Sequence, residues 1–126
     1  MNTKQNNVIR VTDILWGVLI SLSLLLLGSL LLGLITNFTN LITKLPTNLL
    51  FILNYIAIFI GGIVAAYRAQ TNGWLNGGLV GLIYMLMIIV LGSLWQSVVF
   101  SVGLVLRVVL SFLVAGLGGM VGVNIV

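Results

Sequence analysis

Four long apolar stretches, separated by shorter polar segments, dominate the sequence. They run from about 14 to 36, 48 to 67, 74 to 94 and 104 to 125. A bilayer core of roughly 30 Å requires about 20 apolar residues in helical conformation. Backbone groups in lipid must also form their hydrogen bonds within the segment itself, so spans of this kind are helices. The pattern therefore predicts an all-α fold, an integral membrane four-helix bundle.

The segments between the spans complete this layout. Residues 1–13 are predicted to be an N-terminal tail, and residues 14–126 a single four-span domain. The polar stretch 37–47 predicts a loop. The stretch 68–73 predicts a six-residue turn that makes the second and third helices an antiparallel hairpin. The apolar stretch 95–103 predicts either an interfacial segment or an extension of a neighbouring helix.

Composition supports a membrane protein and narrows the chemistry that it can perform. Hydrophobic residues make up 61% of the chain and charged residues 5%, and the mean hydropathy is +1.34. A soluble domain carries roughly 25% charged residues. The chain has no Cys, no His and one acid, Asp13. We therefore expect no enzymatic activity, no metal and no cofactor. Asp13 is expected to cap the first helix or to pair with Arg10 or Arg68.

The five basic residues are scattered and form no patch that would bind nucleic acid. With a cytoplasmic N-terminus, Lys4, Arg10 and Arg68 lie on the inner side, and Lys44 and Arg107 lie towards the outer side. Because cytoplasmic loops carry an excess of Lys and Arg, this distribution favours two cytoplasmic termini and leaves a dual topology open. Three aromatic residues are expected at the inner interface: Trp16, Tyr67 and Trp74.

Small residues recur at four-residue spacing, which places them on one face of each helix. The residues expected to pack helices together are Gly61, Gly62, Ala65, Gly73, Gly77, Gly81, Gly118, Gly119 and Gly122. Gly33 follows Ser29 at the same spacing, and Gly92 lies further along the same face of the third span as Gly81. Small faces allow helix backbones to approach closely in lipid. The spacing is compatible with packing inside one chain, with a homo-oligomeric interface and with a pore lining.

Arg107 is the candidate for a ligand contact. It continues the small-residue face of the fourth span through Ser111 and Ala115, so we expect it to point into the bundle. An intramembrane charge is costly without a partner, which makes Arg107 a candidate contact for an anion or a lipid phosphate. The alternative is that Arg107 lies in the first turn of the span and snorkels to the headgroups. Asn54, within the second span, is expected to hydrogen-bond across helices.

Parts of the chain resemble each other. The segment Gly61-Gly62-Ile63-Val64-Ala65 resembles Gly118-Gly119-Met120-Val121-Gly122, and the pairs Trp16-Gly17 and Gly73-Trp74 occupy comparable places. One interpretation is the tandem duplication of a two-helix hairpin. The other is a chance match, because glycine-rich apolar segments match one another easily.

Two stretches also resemble a known family. They are residues 61–84, GGIVAAYRAQTNGWLNGGLVGLIY, and residues 118–124, GGMVGVN. Both resemble the YrzE-like family of small four-span membrane proteins from Gram-positive bacteria. The resemblance implies a multi-pass protein of the bacterial cell membrane. It implies no activity, since the family has none assigned, and it carries no functional residues to this chain.

Two function hypotheses follow from the sequence. The first is a non-enzymatic membrane protein with a structural or interaction role, whose partners are the lipid bilayer and further copies of itself. The alternative is a minimal channel or transporter for an anion, with Arg107 as the contact residue.

Overall fold

The computed structural model describes residues 11–39, 48–97 and 99–125. These form four helices, α1 (Val11–Thr39), α2 (Asn48–Ala69), α3 (Gly73–Trp95) and α4 (Val102–Ile125). All four are long and apolar enough to cross a membrane. The fold class predicted from the hydrophobic pattern is confirmed, and the architecture is that of a multi-pass membrane protein.

The first helix and the central turn differ from the predicted boundaries. α1 begins at Val11, so Asp13 belongs to its first turn rather than to a preceding tail. The connection between α2 and α3 has only three residues, 70–72, because both helices extend into the predicted six-residue turn. Gln70 and Asn72 have φ values of 57° and 41°. This left-handed backbone reverses the chain within a short length.

The other two connections are described in part. Between the end of α3 and the start of α4, residues 96, 97 and 99–101 are not helical. The stretch 95–103 is therefore mainly a connection, and it extends neither helix by more than two residues. α1 continues to Thr39, into the predicted polar loop. The rest of that loop and the tail up to residue 10 lie outside the described residues.

α2 and α3 occupy the centre of the bundle. α1 and α4 each pack against both of them, and among the described residues α1 and α4 do not contact each other. α1 crosses α2 at Gly17 and Gly61, and α3 crosses α4 at Gly73 and Gly119. Helices that follow one another in sequence are therefore antiparallel, and the start of α1, the 70–72 turn and the end of α4 share one end of the bundle.

Burial divides the bundle into two halves. Every buried residue of the described chain lies in what we call the closed half, residues 11–21, 57–69, 73–85 and 111–125. The remainder is the open half, residues 22–39, 48–56, 86–95 and 102–110. Large apolar side chains are exposed on all four helices of the open half, among them Leu30, Ile52, Leu91 and Leu106. Helices that are apolar all round suit a membrane, so this exposed surface faces lipid or a partner.

Few large side chains are buried in the core of the closed half. One cluster consists of Ile14, Val18, Ala65 and Val80, and the other of Ile58, Tyr84, Met85 and Ala115. Five of the eleven buried hydrophobic residues in the described part of the chain are alanines, so little side-chain volume separates the helices at those positions. The close approach comes from the glycines.

Candidate functional site

The contact between α3 and α4 depends on glycines that allow the two backbones to touch. A Cβ atom placed on Gly77 would lie 2.5 Å from the carbonyl oxygen of Ala115 and 2.7 Å from the Cα of Gly119. A Cβ on Gly73 would overlap the Gly119 carbonyl oxygen, and one on Gly81 would overlap the Ser111 carbonyl oxygen. Backbone atoms cannot move aside as a flexible side chain can. A larger residue at these positions must therefore separate the helices.

The contact between α2 and α4 is of the same kind. A Cβ on Gly62 would overlap the carbonyl oxygen of Ala115. In the other direction, Cβ atoms on Gly118 and Gly122 would overlap the carbonyl oxygens of Phe59 and Ile63. α4 therefore uses its small residues against both central helices.

Gly61 and Ala65 face α1 instead. A Cβ on Gly17 would lie 2.6 Å from the Gly61 carbonyl oxygen and 2.8 Å from the Ala65 Cβ. With the contacts above, the structure places all nine predicted packing residues against another helix of the same chain. The small-residue faces are used within the bundle.

The two hairpins share a contact pattern. In each, a Cβ on a glycine of the first helix would meet a glycine carbonyl of the second helix and the side chain four residues further on. In the first hairpin these residues are Gly17, Gly61 and Ala65, and in the second they are Gly73, Gly119 and Val123. The contacts pair Gly61 with Gly119, whereas the sequence match aligns Gly61 with Gly118, so the duplicated hairpin stays a prediction.

Gly33 and Gly92 do not take part in this packing. A Cβ on either would have no neighbouring atom within 4 Å. Both lie on exposed faces of the open half, where no other helix packs against them. Four-residue spacing alone was therefore not sufficient to identify the packing glycines.

An ion pair joins α1 to the end of α2. Arg68 Nε donates to Asp13 Oδ1 at 3.3 Å. The Asp13 side chain is 8% exposed and that of Arg68 47% exposed. The Arg68 guanidinium also lies over the ring of Trp16, with its carbon 5.3 Å from the ring centre. Of the roles expected for Asp13, the pairing with Arg68 is confirmed.

The 70–72 turn is held by the side chain of Asn76. Its amide nitrogen donates to the Thr71 carbonyl at 2.7 Å and to the Asn72 carbonyl at 3.3 Å. Asn76 is fully buried in the first turn of α3. The sequence analysis missed this residue, although an Asn one turn into an apolar helix, directly after a turn, is a usable signal.

Other polar side chains of the closed half also bond within the bundle. Ser21 donates to the Gly17 carbonyl of its own helix, and Ser111 to the Arg107 carbonyl of its own helix. Tyr84 reaches across from α3, and its hydroxyl donates to Asn54 Oδ1. The expectation that Asn54 bonds across helices is confirmed.

Arg107 differs from its predicted orientation. It is exposed on the surface of the open half, with its guanidinium carbon 4.8 Å from the ring centre of Phe51. Ser111 and Ala115, on the same face of α4, are buried. The face therefore leaves the bundle interior between Arg107 and Ser111. An aromatic partner at this position was not predicted.

Comparison with known proteins places the chain in a family. A model of one protein family matches residues 10–122. The chain belongs to this family, DUF3792, whose members are described as proteins of unknown function. No curated protein and no solved structure matches the chain. The DUF3792 match extends from the residue before α1 to near the end of α4, so it includes both hairpins and their glycines.

Three arrangements in this DUF3792 chain could contact a ligand, lipid or a partner. The first is the Asp13–Arg68–Trp16 cluster, which presents a half-exposed guanidinium at the end of the bundle that contains the 70–72 turn. The second is Arg107 over Phe51, which presents a cation on the surface of the open half. The third is the apolar surface of the open half itself, which offers packing area to a helix or to lipid.

Proposed function

We propose that this DUF3792 chain is a non-enzymatic membrane protein with a structural or interaction role that self-associates through its open half. One observation carries the proposal. The small-residue faces are used inside the chain, whereas large apolar side chains of the open half are uncovered on all four helices. A second copy would therefore pack against the open half.

Two surface grooves that lie mainly in the open half support this docking surface. One groove of about 290 Å³ runs along α3 and is lined by Ile83, Leu86, Met87, Val90 and Leu91. A second, of about 320 Å³, lies mainly on α2 and is lined by Ile52, Tyr55, Ile56, Phe59 and Val114. Both are apolar and open to the surroundings. They offer recesses for the side chains of a neighbouring helix.

The engagement of the polar side chains supports a role without catalysis. The single acid, Asp13, is paired with Arg68, and Asn76 and Tyr84 bond to the turn and to α2. General acid–base catalysis requires a titratable group within reach of a substrate. Among the described residues, Asp13 and Tyr84 are instead engaged in contacts between helices.

Single-cysteine variants test self-association cleanly, because the natural chain contains no Cys. Leu91→Cys and Leu106→Cys lie in the open half, and Leu19→Cys is a control in the closed half with similar exposure, 54% against 51% and 57%. Mild oxidation in native membranes is expected to yield disulfide-linked dimers from the open half. Equal dimer yield from all three positions, or dimer from Leu19→Cys alone, would contradict the proposal.

The location and orientation are part of the proposal. The resemblance to the YrzE-like family supports the cell membrane of a Gram-positive bacterium. Arg68 lies at the same end of the bundle as the start of α1 and the end of α4, which supports cytoplasmic termini by the positive-inside rule. Reporter fusions at Thr71 and at Asn40 should then give opposite signals. Equal signals would indicate a dual topology.

The rival function is a minimal channel or transporter for an anion at Arg107. It is favoured by the lack of any acidic partner for this residue, since the only acid of the chain is paired with Arg68. The surface position of Arg107 weighs against a path through the bundle. Anion flux into proteoliposomes that is lost in Arg107→Gln would establish the rival and displace the structural role.

A further inference from the structure

The Arg68 guanidinium is held on two sides. Asp13 Oδ1 accepts from its Nε edge, and the face of the guanidinium lies over Trp16. Asp13 is buried beneath it, whereas nearly half of the Arg68 side chain is exposed. A guanidinium has five N–H donors, and a contact through Nε leaves the four on its two terminal amino groups. The carboxylate and the ring thus orient the remaining donors towards the surroundings.

The surroundings of Arg68 are at headgroup depth. The adjoining 70–72 turn is polar and exposed. Trp16, Tyr67 and Trp74 are all close to half exposed at this end of the bundle. Half-exposed aromatic rings at the end of a transmembrane bundle mark the interface between lipid and water. In a membrane, the acceptor outside the protein that lies nearest to the remaining Arg68 donors is therefore a headgroup phosphate.

We propose that Arg68, supported by Asp13 and Trp16, is a binding site for the phosphate of an anionic phospholipid. The planar fork of an arginine matches two phosphate oxygens, and a fixed fork loses little freedom on binding. Because Asp13 offsets much of the positive charge of Arg68, binding of an anionic lipid requires the geometry of the fork in addition to charge. The lipid would bridge α1 and α2 at the end of the bundle that contains the 70–72 turn.

Arg107 is the natural comparison. It also lies over an aromatic ring, Phe51, but the chain has no second acid to hold its Nε edge. Its fork is therefore less fixed, although its charge is not offset. If charge alone attracted lipid, Arg107 would retain more than Arg68. If a fixed fork is required, Arg68 retains the lipid.

Native mass spectrometry of the full chain released from phosphatidylglycerol-containing nanodiscs measures this directly. Arg68→Lys keeps the ion pair with Asp13 and removes the fork, so the bundle stays intact. Bound phosphatidylglycerol should fall about tenfold in Arg68→Lys and in Arg68→Gln, the effect of losing one hydrogen bond to a charged group. Arg107→Gln should retain the parent level. Nanodiscs of phosphatidylcholine should leave less lipid on the parent chain.

Three results would overturn the site. Equal phosphatidylglycerol on the parent and Arg68→Lys would show that charge is sufficient. Loss in Arg107→Gln with retention in both Arg68 variants would assign the lipid to the open half. Displacement of the lipid by millimolar inorganic phosphate, with phosphate retained on the chain, would show that the site selects a free anion. None of these results bears on dimer formation by the cysteine variants.

Discussion

The closed and open halves consist of the same four helices, yet only the closed half is tightly packed. In the closed half, glycine meets a small residue on the opposing helix, as Gly73 meets Gly119 and Gly77 meets Ala115. Gly118 and Gly122 likewise meet the backbone carbonyls of Phe59 and Ile63. In the open half, Gly92 and Gly33 have no atom of another helix near their Cβ positions. A glycine therefore brings two helices together only where its face meets the backbone of another helix.

This difference has an energetic cause. In lipid the hydrophobic effect does not drive helices together, so association depends on close packing and interhelical hydrogen bonds. The closed half has both, through its glycine contacts and through the Asp13–Arg68 and Asn76 interactions. The open half has few buried contacts, which is typical of regions with low local stability. We expect helix separation to begin there.

The largest expected effect comes from filling a glycine contact of the closed half. Gly77→Leu introduces a side chain where a Cβ atom would already meet the backbone of Ala115 and Gly119. Overpacking costs about 1–3 kcal/mol and sometimes more. The thermal midpoint of the protein in mild detergent should fall.

The control for this change lies on the same helix. Gly92→Leu adds the same side chain in the open half, where nothing lies within 4 Å. Its thermal midpoint should match that of the parent. A fall of equal size in both variants would mean that helix propensity, and not the contact between backbones, determines the effect. The comparison between the two halves would then fail.

The second effect concerns the hydrogen bonds that Asn76 donates to the 70–72 turn. Asn76→Ala removes the donor to the Thr71 and Asn72 carbonyls and should destabilise the bundle by about 1 kcal/mol. Hydrogen exchange should increase in the 70–72 turn. Ser93→Ala removes a comparable side-chain bond, to the Val90 carbonyl, in the open half. It should change neither stability nor exchange at the turn.

Much of the fold followed from the sequence, because span length and apolar periodicity are local properties. The nine packing residues could also be predicted from the sequence, since they cluster at the same end of three spans. The spacing of residues along one helix does not show where another helix packs against it. Gly92 lies on the same face of α3 as Gly81, but no other helix comes within 4 Å of its Cβ position. For the same reason the predicted inward orientation of Arg107 was wrong.

A smaller effect is expected at the boundary between the halves. Tyr84→Phe removes the hydroxyl that donates to Asn54 and leaves the ring in place. Interhelical hydrogen bonds in membranes contribute about 0.6 kcal/mol on average. The free energy of unfolding in detergent should fall by about that amount. Tyr67→Phe, at a half-exposed position, is the control and should be neutral. A loss several times larger would mean that this polar pair is a main contact between α2 and α3.

The smallest effect is expected at Arg107, where the open half presents its charge. The side chain is exposed and contacts the ring of Phe51, so Arg107→Lys keeps a long apolar stem and a charged end that can reach the headgroups. Arg107→Leu replaces an exposed cation with an apolar side chain in an apolar surface, which carries no desolvation cost. Both variants should keep the parent thermal midpoint and insert normally. Destabilisation by both would show that Arg107 holds α4 to α2 through Phe51, and that the open half contains a stabilising contact of its own. Retention of stability by Arg107→Lys and its loss in Arg107→Leu would assign that contact to the charge.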